Sequence, residues 1–165
     1  MWTHTGFRKY DARVPRRTDI TASDRLWLRL TRVLPAPRED VYRAITDPEE
    51  LARWWGPKGF TSPSVDFEPR VGADYRIAMQ PPDGDLFHLS GEFQKVEPPA
   101  RLAFTFRWEP PHPDDRETLA TLTLEDRGDE TEVRFTQGEF ATEERLALHA
   151  GGWGDSFEKL EQLLA

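Results

Sequence analysis

Two periods organise the apolar positions of this chain. The segment RLWLRLTRV (25–33) sets Leu26, Leu28 and Leu30 against Trp27, Arg29 and Thr31. That alternation predicts a strand with one buried face and puts Trp27 off it. Pro35 and Pro37 end the strand. Pro37 then opens a short helix with Val41, Ala44 and Ile45 on one side. The next stretch, DPEELARWWGPKGF (47–60), predicts a second helix over 47–55. Asp47 is placed to cap free backbone N–H groups, Pro48 fixes the first helical φ, and two glutamates face the positive end of the dipole. Gly56-Pro57 stops it. Leu51, Trp54 and Trp55 fall at i, i+3 and i+4, one stripe. Neighbouring helical residues point about 100° apart, so one tryptophan is expected deep and the other at a rim.

The period then returns to two. Strands are predicted over 63–68, 73–80, 86–97, 101–109, 117–125 and 131–137. Turn signals separate them, among them Val71-Gly72, Pro82-Asp83-Gly84 and Arg127-Gly128-Asp129. From about 142 the period is helical. Leu146, Ala150, Trp153, Phe157, Leu160 and Leu164 make one long stripe. The expected class is therefore α+β. A seven-stranded curved antiparallel sheet wraps a long C-terminal helix, and two short helices after the first strand close one end. Such a wrap leaves a space between helix and sheet, and that space is a pocket. Residues 1–24 show no period and read as an N-terminal arm anchored by Trp2, Phe7 and Tyr10. Residues 25–165 read as one domain.

Composition sharpens this. The formal net charge is -8, and such a surface repels phosphates, which argues against nucleic acid as a partner. The arm departs from the average: residues 1–22 carry a net +3, leaving -11 on the rest. The arm is thus expected to dock on the body, and a homodimer is one way for it to do so. There is no cysteine, which excludes disulfides, thiolate zinc sites and thiol nucleophiles and suits the cytoplasm. No apolar run reaches the ~20 residues of a membrane span. Arg16-Arg17 lacks the apolar region that an export signal needs.

Four stretches resemble a known family. They are VLPAPREDVYRAITDPEELARWWGPKGF, the block GADYRIAMQPPDGDLFHLSGEFQKVEPPARLAFTFRW, TLTLEDRGDETEVRFTQGEF and GGWGDSFEKLEQLL. In this order they resemble the SRPBCC or START-like superfamily, of helix-grip fold. Within it they resemble the group named after the activator of heat shock protein 90 ATPase. The resemblance spans about residues 26–165 and omits the arm. It implies an apolar and aromatic cavity between sheet and C-terminal helix. It also brings two rival functions: a polyketide cyclase or hydratase-like enzyme using that cavity, and a chaperone-associated module. The eukaryotic activator carries a separate N-terminal domain, and the arm is too short to be one.

The candidate lining follows from the stripes. The sheet offers Tyr75, Ile77, Met79, Phe104, Phe106 and Trp108; the helices and their connections offer Trp54, Trp55, Phe60, His149, Trp153 and Phe157. The plainer reading of each is core packing. Three glycines in GGWG (151–154) cost a helix about 1 kcal/mol each relative to alanine. They point either to tight packing on the sheet or to room beside Trp153. Polar candidates are few. His88, Ser90 and Glu92 share the outer face of their strand unless a bulge inverts it. His112-Pro113-Asp114-Asp115 lacks a second imidazole for a metal site. His149 reads as a polar flank of the stripe, or as a cavity acid–base if burial tunes it. An enzyme would need a buried polar pair, such as His88 with Glu92 or Tyr75 with Asp74. No catalytic triad, paired-carboxylate signature or dinucleotide fingerprint is present. The expectation is a binder of a hydrophobic small molecule, with no cofactor, no metal and no catalytic residue.

Overall fold

The computed structural model describes residues 26–165. The arm (1–24) and its predicted docking lie outside the described residues. Strand β1 (Leu28–Leu34) leads into helices α1 (Arg38–Thr46) and α2 (Pro48–Trp54). Strands β2 (Val65–Asp66), β3 (Asp74–Met79), β4 (Phe87–Glu97), β5 (Arg101–Glu109), β6 (Thr118–Arg127) and β7 (Glu130–Gly138) follow, then helix α3 (Glu143–Leu164). The sheet order is β1-β7-β6-β5-β4-β3-β2, antiparallel throughout. Strands β2 to β7 form a meander, each paired with the next, and β1 lies at the far edge against β7. The α+β helix-grip architecture is present in full.

Period two decides the buried face. Tyr75, Ile77, Phe93, Phe104, Leu122, Leu124, Val133 and Phe135 all point into one core against α3. Phe67, Tyr75, Phe93 and Phe104 meet at centroid distances of 4.9–6.3 Å, all edge to face except the tilted Tyr75–Phe93 pair, the arrangement favoured by aromatic quadrupoles. Gly91, paired with Tyr75 across the β3–β4 ladder, is required there. A Cβ on it would stand 1.9 Å from the Thr105 carbonyl oxygen and 2.8 Å from the Tyr75 ring. The Tyr75 hydroxyl crosses it to donate to that same carbonyl, at 2.7 Å.

Several expectations need correction. The strand predicted over 63–68 shrinks to two residues, because little of it finds a partner on β3. Asp47 occupies the N-cap of α2, but its side chain makes no capping bond; its backbone links α1 to α2 instead. Helix α2 ends at Trp54, and Trp55 is an extended C-cap outside the helical stripe. Trp27 does sit off the Leu28 face, yet it is half-buried over Gly138. In β4 the register does shift, but between Phe93 and Lys95, beyond His88. His88 therefore keeps its outer-face position opposite Glu109.

Candidate functional site

Helix α3 carries two kinds of residue on its inner face. Leu146, His149, Trp153, Ser156, Phe157 and Leu160 are buried, so the true seam runs between two rows and includes His149 and Ser156. Ala150 and Leu164, expected on that stripe, are only half-buried. The C-terminal part of the seam is filled. Trp153 packs tilted on Phe135 at 4.2 Å, and Phe157 meets the same ring edge-on at 5.7 Å. The N-terminal part is not filled. A cavity of about 340 Å³ lies there between α3 and the sheet, walled mainly by Trp55, Met79, Phe106, Trp108 and Trp153. Phe60 and Phe87, edge to face at 6.3 Å, stand on one side of it.

Two of the wall side chains, Trp55 and Trp153, are held from behind. Gly56, at φ +96°, turns the chain out of α2, a conformation open to glycine at little cost. Its N–H donates to Ser156 Oγ at 2.9 Å, and Lys159 reaches the carbonyls of Trp55 and Pro57. This stitch leaves Trp55 on the cavity side, with its ring 5.0 Å from Trp153. Trp54 points the other way, and its indole N–H donates to the Ala44 carbonyl at 2.9 Å. Both tryptophans are buried, so neither is a rim residue. Trp153 donates to Gln137, which donates in turn to Thr118, a buried polar chain within the sheet's inner face.

One end of the cavity is polar. Trp108 Nε1 donates to His149 Nε2 at 3.0 Å. The rings of Phe106, Trp108 and Phe140 surround the imidazole. Burial among them, with a smaller contribution from the Arg145 charge, lowers the His149 pKa to about 3. The ring is therefore neutral at physiological pH. Arg145 Nε donates to Asp115 Oδ1 at 2.8 Å, and both side chains are largely covered. Asp115 Oδ2 accepts from the His112 backbone N–H at 2.7 Å. His112 is exposed, so the cavity reaches the surface beside it.

Of the residues predicted to line the space, Trp55, Phe60, Met79, Phe106, Trp108, His149 and Trp153 surround the cavity. Trp54, Tyr75, Ile77, Phe104 and Phe157 do not; they are buried in the filled core. His149 is a seam residue, not a polar flank, because three aromatic rings and an indole N–H enclose it. Phe87, Asp115 and Arg145 were not anticipated. Phe87 could have been found from its alternation with Leu89. The Asp115–Arg145 pair joins a loop to a helix 30 residues away and has no local signal.

Neither of the candidate polar pairs, His88 with Glu92 or Tyr75 with Asp74, lies at this cavity. Glu92 is exposed opposite Asp74, and Tyr75 is spent on the Thr105 carbonyl. His88 lies on the outer face beside Glu109, whose carboxyl is held below the usual range by hydrogen bonds from Ser90 and Arg76. Among the described residues no group of His, Asp and Glu is arranged to hold a metal ion. No described helix is long and apolar enough to cross a membrane.

A family model for Activator of Hsp90 ATPase homolog 1-like proteins matches residues 35–165. Solved structures agree. A Nitrosomonas europaea protein is 30% identical, covering 88% of this chain and 96% of its own, with a TM-score of 0.73. A Chromobacterium violaceum protein is 28% identical, covering 84% and 96%, at 0.74. The AHSA1 protein of Silicibacter pomeroyi is 27% identical, with the same coverage and TM-score. No curated protein matches the chain.

Proposed function

The chain belongs to the Activator of Hsp90 ATPase homolog 1-like family, and from that premise we propose that it binds a hydrophobic small molecule between α3 and the sheet. The observation that carries this is the cavity of about 340 Å³. It lies within the usual size of small-molecule sites, and its walls are aromatic with a few convergent polar groups. Those polar groups suit binding better than proton transfer. His149 holds its acceptor nitrogen in a bond from Trp108, and its pKa near 3 makes it a poor base at neutral pH. A chaperone partner is suggested by the family description alone; no feature of this cavity speaks for it. We place the protein in the cytoplasm, which a chain without cysteine suits.

The test is a thermal-shift titration with flat apolar compounds, N-phenyl-1-naphthylamine first, with tryptophan fluorescence as second readout. Trp55, Trp108 and Trp153 all border the cavity and should report occupancy. A ligand at about 100 times its dissociation constant adds ~2.7 kcal/mol, a rise on the order of 5–10 °C. Trp153→Leu should weaken the response. If no apolar compound moves the melt or the fluorescence, the binding reading is wrong.

A further inference from the structure

The polar end of the cavity offers donors, and its acceptors are already engaged. An indole nitrogen can only donate. The bond from Trp108 therefore consumes the lone pair of His149 Nε2. In the neutral ring the proton then sits on Nδ1, which takes no partner among the described residues, so a residue that lines the cavity keeps a free donor. Arg145 stands four residues earlier on α3, one turn away on the same face. Of its five N–H donors only Nε is bonded, to Asp115. Both oxygens of Asp115 accept bonds, one from Arg145 and one from the His112 backbone. Gln137 Oε1 accepts from Trp153, and Ser156 Oγ accepts from Gly56 while bonding back to the Gly152 carbonyl. A molecule that fills this cavity without leaving buried donors unpaired must bring an acceptor.

Charge narrows the acceptor. Asp115 lies 2.8 Å from Arg145 and balances it, so this end carries no free cation. A carboxylate entering there would lose its hydration with no net charge to meet it. A neutral carbonyl loses far less and accepts from two directions. The walls are rings, which favour a flat body. Resting on the binding function proposed above, we propose that the cavity takes a flat, neutral, carbonyl-bearing molecule, such as an aryl ketone, whose oxygen is received by the His149 ring N–H and the Arg145 guanidinium.

The experiment compares two probes of one shape, 2-acetylnaphthalene and 2-isopropenylnaphthalene, which differ by an oxygen against a methylene. Dissociation constants on the full chain come from tryptophan quenching. The quantity read is the ratio of the alkene's constant to the ketone's. It should fall about tenfold or more in His149→Phe, which keeps a ring and removes the donor. If that core change unfolds the chain, Asp115→Asn with Arg145→Met removes the second donor and leaves no unpaired charge, and the same fall is expected. If both probes bind the wild type and the ratio stays the same in the variants, the carbonyl assignment is overturned while the binding function stands. If neither probe binds the wild type, the carbonyl assignment is overturned, and the binding function stands or falls on the wider screen of apolar compounds.

Discussion

The two halves of α3 face the same sheet and end differently. Around Phe157 and Leu160 the helix packs on the sheet, with the Phe157 ring against Phe135 and both residues fully buried. Around Arg145 and His149 the wall is just as aromatic, with Phe106 and Trp108, yet about 340 Å³ stays open. Ring content therefore does not decide whether a space fills. At the open end the wall side chains are also tied to one another by hydrogen bonds. Trp108 is tied to His149, Arg145 to Asp115, and Trp153 to Gln137. A buried polar bond fixes a rotamer, because breaking it strands a donor or an acceptor. Phe157 and Leu160 have no polar atom to hold them, and they relax into contact.

The contrast can be broken most directly by emptying one position in each half. Phe157→Ala should cost ~3–5 kcal/mol, the range for a buried ring whose surroundings cannot collapse. Phe87→Ala, beside the cavity and half-buried already, should cost about half as much or less. Urea denaturation reads both as shifts in midpoint at constant slope. Equal losses would mean that the cavity wall is packed as firmly as the core, and the distinction between the halves would fall.

That distinction was only partly legible in the chain. The strands and the sheet's inner face follow from period two, since alternate residues must share a side. The lining was harder. Tyr75, Ile77 and Phe104 alternate just as Met79 and Phe106 do, and only depth along the strand separates core from cavity. Trp55 shows how a cap changes a direction: the Gly56-Pro57 stop was readable, but placing Trp55 inside the helix gave it the wrong company. His149 had a signal, lying three residues after Leu146 and four before Trp153. A polar residue at a seam position marks a place where the interior needs a partner. Arg145 and Asp115 meet only because the β5–β6 connection folds back on α3, and no local pattern encodes that.

The second effect is one of pH. The His149 ring has a value near 3 in the folded chain against an ordinary 6.5 when unfolded. Below about 6.5 the unfolded chain takes up a proton that the folded chain refuses. Stability should then be fully present above 6.5 and be lost as pH falls, at up to ~1.4 kcal/mol per unit. The carboxyls with lowered values, such as Glu109, join only below about 4.5. The loss between 6.5 and 4.5, roughly 2–3 kcal/mol, therefore belongs to the polar half. Urea melts at four pH values across that window measure it, and His149→Phe should flatten the curve. A slope that survives the substitution would locate the titration elsewhere.

The smallest effect tests whether the glycines of α3 serve the cavity or only the backbone. Gly154 lies beyond Trp153, toward the filled half. A Cβ added there meets nothing within 4 Å, and its φ is not positive, so close packing on the sheet does not explain it. Gly152, one turn before Ser156, borders the cavity and accepts the Ser156 hydroxyl at its carbonyl. Glycine inside a helix costs about 1 kcal/mol relative to alanine, chiefly through the freedom of the unfolded chain. Gly154→Ala should therefore stabilise the protein by ~0.5–1 kcal/mol. For a domain of this size that is a rise in Tm of roughly 1–4 °C. Binding of the naphthyl probes should not change, because the new methyl points away from the cavity's occupants into open space. A fall in Tm would show that α3 needs its flexibility at 154 to bend over the sheet. The filled half would then owe its close contacts to that bend rather than to freedom from hydrogen bonds.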